Sequence, residues 1–284
     1  MVHSRNKDID QSLTLDCFEI KSVLGKGTFG KVFLTQLKDT DKLYAIKSIR
    51  KDVLIETDQV QSTELERDIL LECQSPFLVG MDYVFQDDLK LYFVMPFIRG
   101  GELYKHFLKC KRFPEQKVKI YIAQIALAIG YLHSKDILHR DLKLENIMIN
   151  EDGYLKLIDF GLAKIVKNND QTMSFCGTPE YIAPEMVAGK GHGKPVDWWA
   201  LGILTYEMLI GVTPFYNRSR NMMLLKIQSS KIIFPDKHKY KIDYTAEVQD
   251  FICKLLNKKP DKRTGANGVE EVLAHPWFAD LDIE

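Results

Sequence analysis

The chain has 284 residues, 45% of them hydrophobic, and 39 Lys plus Arg balance 39 Asp plus Glu, so the formal net charge is zero. That length allows one or two domains with sizeable cores, and the balanced total excludes an overall nucleic-acid or membrane footprint, although local charge can still matter. The five cysteines are odd in number with no Cys-x-x-Cys pair, which points to reduced thiols in the cytoplasm or nucleus rather than to a disulfide framework or zinc site.

Residues 1–17 read as a flexible amino-terminal arm, polar at its start and without a secretory signal, and Val2 excludes N-myristoylation. From Phe18 to about Phe97, β-branched and aromatic residues cluster in short runs around Phe18, Val32, Tyr44, Tyr83 and Leu91. Turn-like stretches separate the runs, so this part is expected to be an antiparallel sheet. One helix interrupts it near Val60–Leu71, with Leu65, Ile69 and Leu70 on one broad face.

Within the sheet, Gly25-Lys26-Gly27-Thr28-Phe29-Gly30 fits Gly-x-Gly-x-x-Gly. A dinucleotide-binding turn would require a helix to start at these glycines. Val32-Phe33-Leu34-Thr35 favours a second strand instead, giving a hairpin whose glycines admit close approach of phosphates. Ala45 and Lys47 share one face of a later strand. Lys47 would be useful at the α- and β-phosphates if a carboxylate steadied it. Glu66 is the candidate, with Glu64 and Glu56 as rivals.

After Arg99-Gly100-Gly101 the texture changes to helices. One starts at Pro114-Glu115 and runs to Leu132, a second starts at Asp197, a third spans Val248–Leu256, and a short one ends near Trp277-Phe278. The apolar run from Trp198 to Ile210 is shorter than the ~20 residues a membrane-spanning helix needs and reads as a buried core helix. The expected architecture is α+β and bilobal, with a small antiparallel lobe over about 18–97, a larger helical lobe over about 98–278, and a carboxy-terminal end at 279–284. A cleft is the default site in such a chain.

The run Leu138-His139-Arg140-Asp141-Leu142-Lys143-Leu144-Glu145-Asn146, followed by Asp159-Phe160-Gly161, carries the chemistry. Asp141 can accept a hydroxyl proton, Asn146 and Asp159 offer oxygens to Mg²⁺, and Lys143 can neutralise charge on a moving phosphoryl group. These parts match the known pattern of protein-kinase phosphoryl transfer.

Together with Ser174-Phe175-Cys176-Gly177-Thr178-Pro179-Glu180-Tyr181-Ile182-Ala183-Pro184-Glu185 and Asp197-Trp198-Trp199, these residues resemble the eukaryotic protein kinase family over roughly Phe18 to Phe278. Within it the chain is similar to AGC-group serine/threonine kinases such as protein kinase B and cyclic-AMP-dependent kinase. The resemblance implies a transferase using ATP and Mg²⁺. Leu24, Val32, Ala45, Met95 and Met148 would enclose the adenine, with the Pro96 carbonyl and Ile98 amide at its edge. Glu102 would meet the ribose, and Glu145 belongs to the same nucleotide-contacting set as the glycine loop. Lys47 would pair with Glu66, and Asn146 and Asp159 would hold the metal. Asp141 would orient the acceptor hydroxyl, Thr178 would bond near Asp141 and Lys143, and Glu185 would pair with Arg263.

The resemblance also implies activation by an upstream kinase at Ser174, with Arg140 and Lys164 receiving the phosphate and Thr172 as the weaker alternative site. Glu102, Glu145, Glu180 and Glu207 match places where relatives receive arginines before the phosphoacceptor, and Phe175, Pro179 and Ile182 would form an apolar pocket just after it. His139 departs from the tyrosine usual in close AGC relatives, and Ser62 stands where some offer a basic residue. The expected partners are protein substrates, with no nucleic acid and no membrane segment, and the catalytic core is expected to be monomeric. A nucleotide-binding pseudokinase scaffold is the alternative reading. It would normally show a lost lysine, base or metal ligand, yet Lys47, Asp141, Asn146 and Asp159 are all present.

Overall fold

The amino-terminal β-branched and aromatic runs form one five-stranded antiparallel sheet, in the order β1-β2-β3-β5-β4. The strands are β1 (Phe18–Lys26), β2 (Gly30–Leu37), β3 (Leu43–Arg50), β4 (Tyr83–Gln86) and β5 (Lys90–Pro96). These come from a computed structural model in which residues 13–167 and 170–282 are described. The chain divides into two units, through Arg99 and from Gly100 onward, two residues past the expected 97/98 boundary.

In the first unit, the alternation of side chains along each strand sends Tyr44, Ile46, Tyr92 and Val94 to one face, where they bury with Phe18 and Phe85. Phe85 stacks on Tyr92 at 4.8 Å between ring centres, and Phe18 meets Tyr44 edge-on at 5.9 Å, both within the favourable range for aromatic pairs. Leu13, Leu15 and Cys17 also pack on this cluster, and Leu15–Cys17 form a 3-10 turn. The last residues of the expected flexible arm are therefore tied to the core, because they carry apolar side chains with a place to bury. Residues 1–12 of that arm lie outside the described residues, as do 283–284 of the carboxy-terminal end.

Two helices follow β3 where the sequence predicts one. The additional helix, α1 (Lys51–Glu56), buries only Leu54, too little periodicity to register as a pattern. The expected helix is α2 (Val60–Glu72), with Thr63, Glu66, Ile69 and Leu70 as its buried face.

The second unit begins with α3 (Leu103–Cys110), which ends at Lys111 in a left-handed conformation, and α4 (Glu115–Ser134), which starts directly after Pro114. Short antiparallel ribbons follow. β6 (Ile137–Leu138) pairs with β9 (Lys164–Ile165), and β7 (Ile147–Ile149) pairs with β8 (Leu155–Leu157). Then come α5 (Pro184–Val187), α6 (Pro195–Ile210), α7 (Arg220–Ser229), α8 (Lys237–Tyr240), α9 (Ala246–Leu255) and α10 (Val269–Leu273).

Helix α6 is the axis of this unit. It is apolar on nearly every side and packs against α4 and α9, and Trp198, Trp199, Leu201, Ile203 and Leu204 are fully buried. Each such side chain contributes about 2–3 kcal/mol of burial. The helix begins at Pro195, two residues before the expected Asp197, because proline's missing N–H costs nothing in a first turn. The short helix expected near Trp277 resolves into α10 followed by a 3-10 turn over Pro276–Phe278.

Candidate active site

In the first unit, β1 and β2 close on the turn at Gly27, whose N–H donates to the Gly30 carbonyl at 2.9 Å. The three glycines serve different purposes. A Cβ at Gly30 would stand 1.8 Å from the Ser48 carbonyl oxygen, so glycine there lets β2 lie against β3, whereas a Cβ at Gly25 or Gly27 would enter open space. Register places Val32 opposite Lys47 and Ala45 opposite Met95, on the sheet face away from the aromatic cluster and only partly buried. Leu24, Lys26, Thr28 and Pro96 are exposed, Phe29 is half-buried and Ile98 is buried. Lys47 Nζ sits 2.6 Å from Glu66 Oε1, and the Glu66 side chain is 6% exposed against 27% for Lys47. A carboxylate that deep needs a cation, and the geometry selects Glu66 over its rivals: Glu64 is exposed on α2 and Glu56 ends α1.

In the second unit, Asp141 is the hub. Its Oδ2 accepts from Lys143 Nζ at 2.6 Å and from Asn146 Nδ2 at 3.0 Å. Its Oδ1 accepts from Thr178 Oγ1 at 2.8 Å and from the Thr178 N–H at 3.1 Å. Lys143 also donates to Thr178 Oγ1 at 3.0 Å, closing the network. Burial pushes the Asp141 carboxyl up, but the bonds from Lys143 and Thr178 and the Lys143 charge outweigh it and hold the group below its ordinary range. Asp141 is therefore ionised at neutral pH.

Asn146 spends its Nδ2 on Asp141, both Oδ2 and the main-chain carbonyl at 2.9 Å, leaving Oδ1 as its oxygen donor. Asp159 lies just past β8 with Oδ1 accepting from the Gly161 N–H at 3.0 Å, and the backbone bond from Ile158 N–H to the Asn146 carbonyl at 3.1 Å ties the two segments together. Met148 of β7 bridges to Glu102, which pairs with Lys105 at 2.9 Å.

Beneath this network lies a residue that sequence reasoning quoted in a motif but gave no role. Asp197 is 1% exposed, and its oxygens accept from the N–H groups of His139 and Arg140, both at 2.9 Å, and from His133 Nε2 at 2.8 Å. Burial raises its pKa, but the His133 bond and charge lead a set of interactions that lowers it overall. Arg140 has φ 66°, a left-handed backbone in a non-glycine residue, and Asp197 holds it there immediately before Asp141. The signal was available in principle, because a carboxylate two residues into an otherwise apolar helix must be satisfied by something buried.

Arg140 also reaches the segment that carries Thr172 and Ser174. Its Nε donates to the Leu162 carbonyl at 2.8 Å and its Nη1 to Ser174 Oγ at 2.5 Å, with Thr172 Oγ1 3.1 Å from the same hydroxyl. Lys164 is exposed on β9. Gly177, at φ 99°, would place a Cβ 2.8 Å from the Arg140 carbonyl oxygen, so only glycine fits that turn.

Glu185 and Arg263 form a bidentate buried pair at 2.8 and 3.0 Å, and Arg263 also donates to the Pro195 and Asn257 carbonyls at 2.7 and 3.1 Å. Of the residues expected to form the apolar pocket after the phosphoacceptor, Ile182 is 3% exposed and Phe175 52%. Tyr181 donates a short hydrogen bond to Glu207, and burial, with Glu145 and Glu180 nearby, pushes the Glu207 carboxyl up to about 7.

A sheet unit with a paired lysine and glutamate under a glycine hairpin, and a helical unit built around an ionised Asp141, define a protein kinase. The family model described as the protein kinase domain matches residues 18–278, and the chain belongs to that family. It is similar to Protein kinase 2 of Dictyostelium discoideum, 44% identical over 284 residues, which are 100% of this chain and 57% of the relative. It is also similar to RAC serine/threonine-protein kinase of Drosophila melanogaster, 43% identical over 275 residues (96% and 44%), and to serine/threonine-protein kinase gad8 of Schizosaccharomyces pombe, 42% identical over 271 (95% and 47%). These relatives place it among the AGC-group serine/threonine kinases. The chain spans about half the length of the curated relatives it matches.

Proposed function

We propose that this chain transfers the γ-phosphoryl group of ATP to serine and threonine hydroxyls of protein substrates. The observation that carries the reading is the Asp141 network, an ionised carboxylate held by Lys143, Thr178 and Asn146. Phosphoryl transfer asks a protein mainly for positioning and charge neutralisation. Asp141 orients the acceptor hydroxyl and takes its proton, and Lys143 faces the charge of the transferred group.

The residues present fit the nucleotide and the metal. Gly25 and Gly27 leave clear space where side chains would otherwise stand, as close approach of phosphates requires. Asn146 and Asp159 supply oxygen donors, and among the described residues no cluster of three or more His, Cys, Asp or Glu forms a protein-only metal cage. Two protein oxygens suit Mg²⁺, which completes its shell with water and phosphate. When bound, Mg²⁺ supplies charge neutralisation across the β- and γ-phosphates. Lys47, steadied by Glu66, would hold the α- and β-phosphates. The family resemblance supports Leu24, Val32, Ala45, Met95 and Met148 as the adenine contacts, with Pro96 and Ile98 at its edge and Glu102 at the ribose.

The same reading extends to specificity and control. Glu145, Glu180 and Glu207 gather at Tyr181, and Glu145 Oε2 is buried with no hydrogen-bond partner among the described residues. An arginine side chain of a substrate would satisfy that oxygen and restore the Glu207 charge, which supports a preference for arginine before the acceptor. The Arg140–Ser174 contact supports activation by an upstream kinase at Ser174, since a phosphate there would replace a single bond from the guanidinium to a neutral hydroxyl with several between opposite charges. The proposed setting is a monomeric core in the cytoplasm or nucleus, where its five free cysteines stay reduced.

The test is incorporation of radiolabelled phosphate from Mg-ATP into an arginine-rich serine peptide, comparing the chain with Asp159→Ala and Asp141→Asn. We expect Asp141→Asn to lose about 10²–10⁴-fold and Asp159→Ala to be similarly impaired. Equal incorporation by all three proteins would overturn the roles given to Asp141 and Asp159, and incorporation by none of them, with nucleotide still bound, would favour a nucleotide-binding scaffold. A positional peptide library indifferent to upstream arginine would overturn the specificity alone.

A further inference from the structure

The balanced net charge conceals a local imbalance in the second unit. Two basic runs far apart in sequence, Lys109 to Arg112 at the end of α3 and Lys237 to Lys241 over α8, are joined by Arg112. Its guanidinium donates to the Tyr240 carbonyl at 3.3 Å and to the Lys241 carbonyl at 2.9 Å. Both helices end at a lysine with a left-handed backbone, Lys111 at φ 63° and Lys241 at φ 51°. Lysine near a helix carboxy terminus complements the exposed carbonyls there, and here two such ends lie side by side.

Every residue of both runs is exposed. Lys109, Lys111, Lys237, Lys239 and Lys241 make no ion pair among the described residues. Lys105, Lys119 and Lys194 are paired with carboxylates, whereas Lys38, Lys42 and Lys259 make no ion pair among the described residues and are scattered. The acids interspersed are Asp236, whose carboxylate caps the Lys239 N–H at 2.7 Å, and Asp243. Six permanent cations therefore stand against three flanking acids, and the third, Glu115, is already engaged by Thr245 and Trp277. Two exposed apolar groups accompany the runs, Leu108 at 57% and Tyr240 at 53%.

We infer that this face, formed by the ends of α3 and α8, docks on an anionic membrane surface. The charge is complementary to acidic headgroups, and each lysine or arginine brought near such a surface is worth about 1 kcal/mol, or about fivefold in binding. An exposed leucine and tyrosine among the cations suit the headgroup boundary, where an apolar body and a polar tip are both accommodated. This inference does not depend on the phosphoryl-transfer reading, since none of these residues belongs to the Asp141 network or the glycine hairpin.

The experiment is sedimentation of the chain with vesicles of phosphatidylcholine alone and with vesicles of three parts phosphatidylcholine to one part phosphatidylserine. Binding to the serine-lipid vesicles only, weakening as salt rises, is expected. The triple variant Lys237→Glu, Lys239→Glu, Lys241→Glu should lose about 10²-fold or more. A control with the same charge change, Lys38→Glu, Lys42→Glu, Lys259→Glu, should keep binding. Thermal melts verify folding. The pair Lys109→Glu, Lys111→Glu repeats the test from the other run and should lose at least about 20-fold. Absence of vesicle binding, equal binding to both vesicle types, or equal loss in patch and control variants would overturn the inference. So would tighter binding to a single-stranded RNA of mixed sequence than to serine-lipid vesicles at the same salt, which would assign the face to nucleic acid.

Discussion

Replacing Asp197 by asparagine isolates the group that holds the catalytic segment in place. The substitution keeps the size and removes the charge. Asp197 receives the His139 and Arg140 N–H groups on different oxygens, so one of them would face the new amide nitrogen and lose its acceptor. A buried unsatisfied donor costs about 1–3 kcal/mol, and the remaining bonds, to backbone and His133, fall from charge-assisted to neutral strength. The expected loss is about 3 kcal/mol of stability, measured by denaturant unfolding at pH 7. Arg140 would relax from its left-handed backbone and shift Asp141, so turnover on an arginine-rich peptide should fall by more than about tenfold even where the protein remains folded. The sign of the pH dependence follows from the lowered pKa. A depressed carboxylate contributes stability above its unfolded value of 3.8 that is lost as pH falls through the lower folded value, so Asp197→Asn should flatten the acid limb of stability. A variant within about 0.5 kcal/mol of the parent and with unchanged turnover would refute the reasoning.

Gly30→Ala and Gly27→Ala should separate stability from activity. The first forces Cβ against the Ser48 carbonyl and should cost at least about 1–3 kcal/mol in a thermal or denaturant melt, while the second should leave the melt unchanged and raise KM for ATP. Glu66→Gln breaks the Lys47 pair and should lower kcat/KM by about 10²-fold in a steady-state assay, with little effect on peptide KM. Glu207, raised to about 7, favours folding in its neutral form, so its contribution to stability is lost as pH rises from 4.5 through about 7. Glu207→Gln should therefore raise stability at pH 8, by up to about 3 kcal/mol, while weakening selection of arginine-bearing peptides in competition assays. Arg263→Met strands the buried Glu185 carboxylate and should cost about 3–5 kcal/mol, read by calorimetry.

Much of this protein is legible along the chain because its signals are local. Strand alternation around Tyr44 and Leu91, the glycine hairpin, and the largely apolar helix after Pro195 need only neighbouring residues to be recognised. Asp141, Asn146 and Asp159 fall within one short stretch, so their chemistry can be named before their geometry is known. Helix α1 leaves no such trace because a single buried leucine carries no period. Leu13 to Cys17 read as part of a loose arm because what they pack against is distant in sequence.

Residue type and spacing alone establish which groups could do chemistry: a lysine in an apolar strand, carboxylates in turns, a glycine loop before a strand. Which of them meet is settled by the folded chain. Folding selects Glu66 from three glutamates by burial, sets Asp197 beneath Arg140, and joins Arg112 to Lys241 across 129 positions of sequence. The reason is physical. Spacing constrains side chains within a turn or strand, whereas burying a charge or satisfying a donor depends on groups brought close only when the whole core closes.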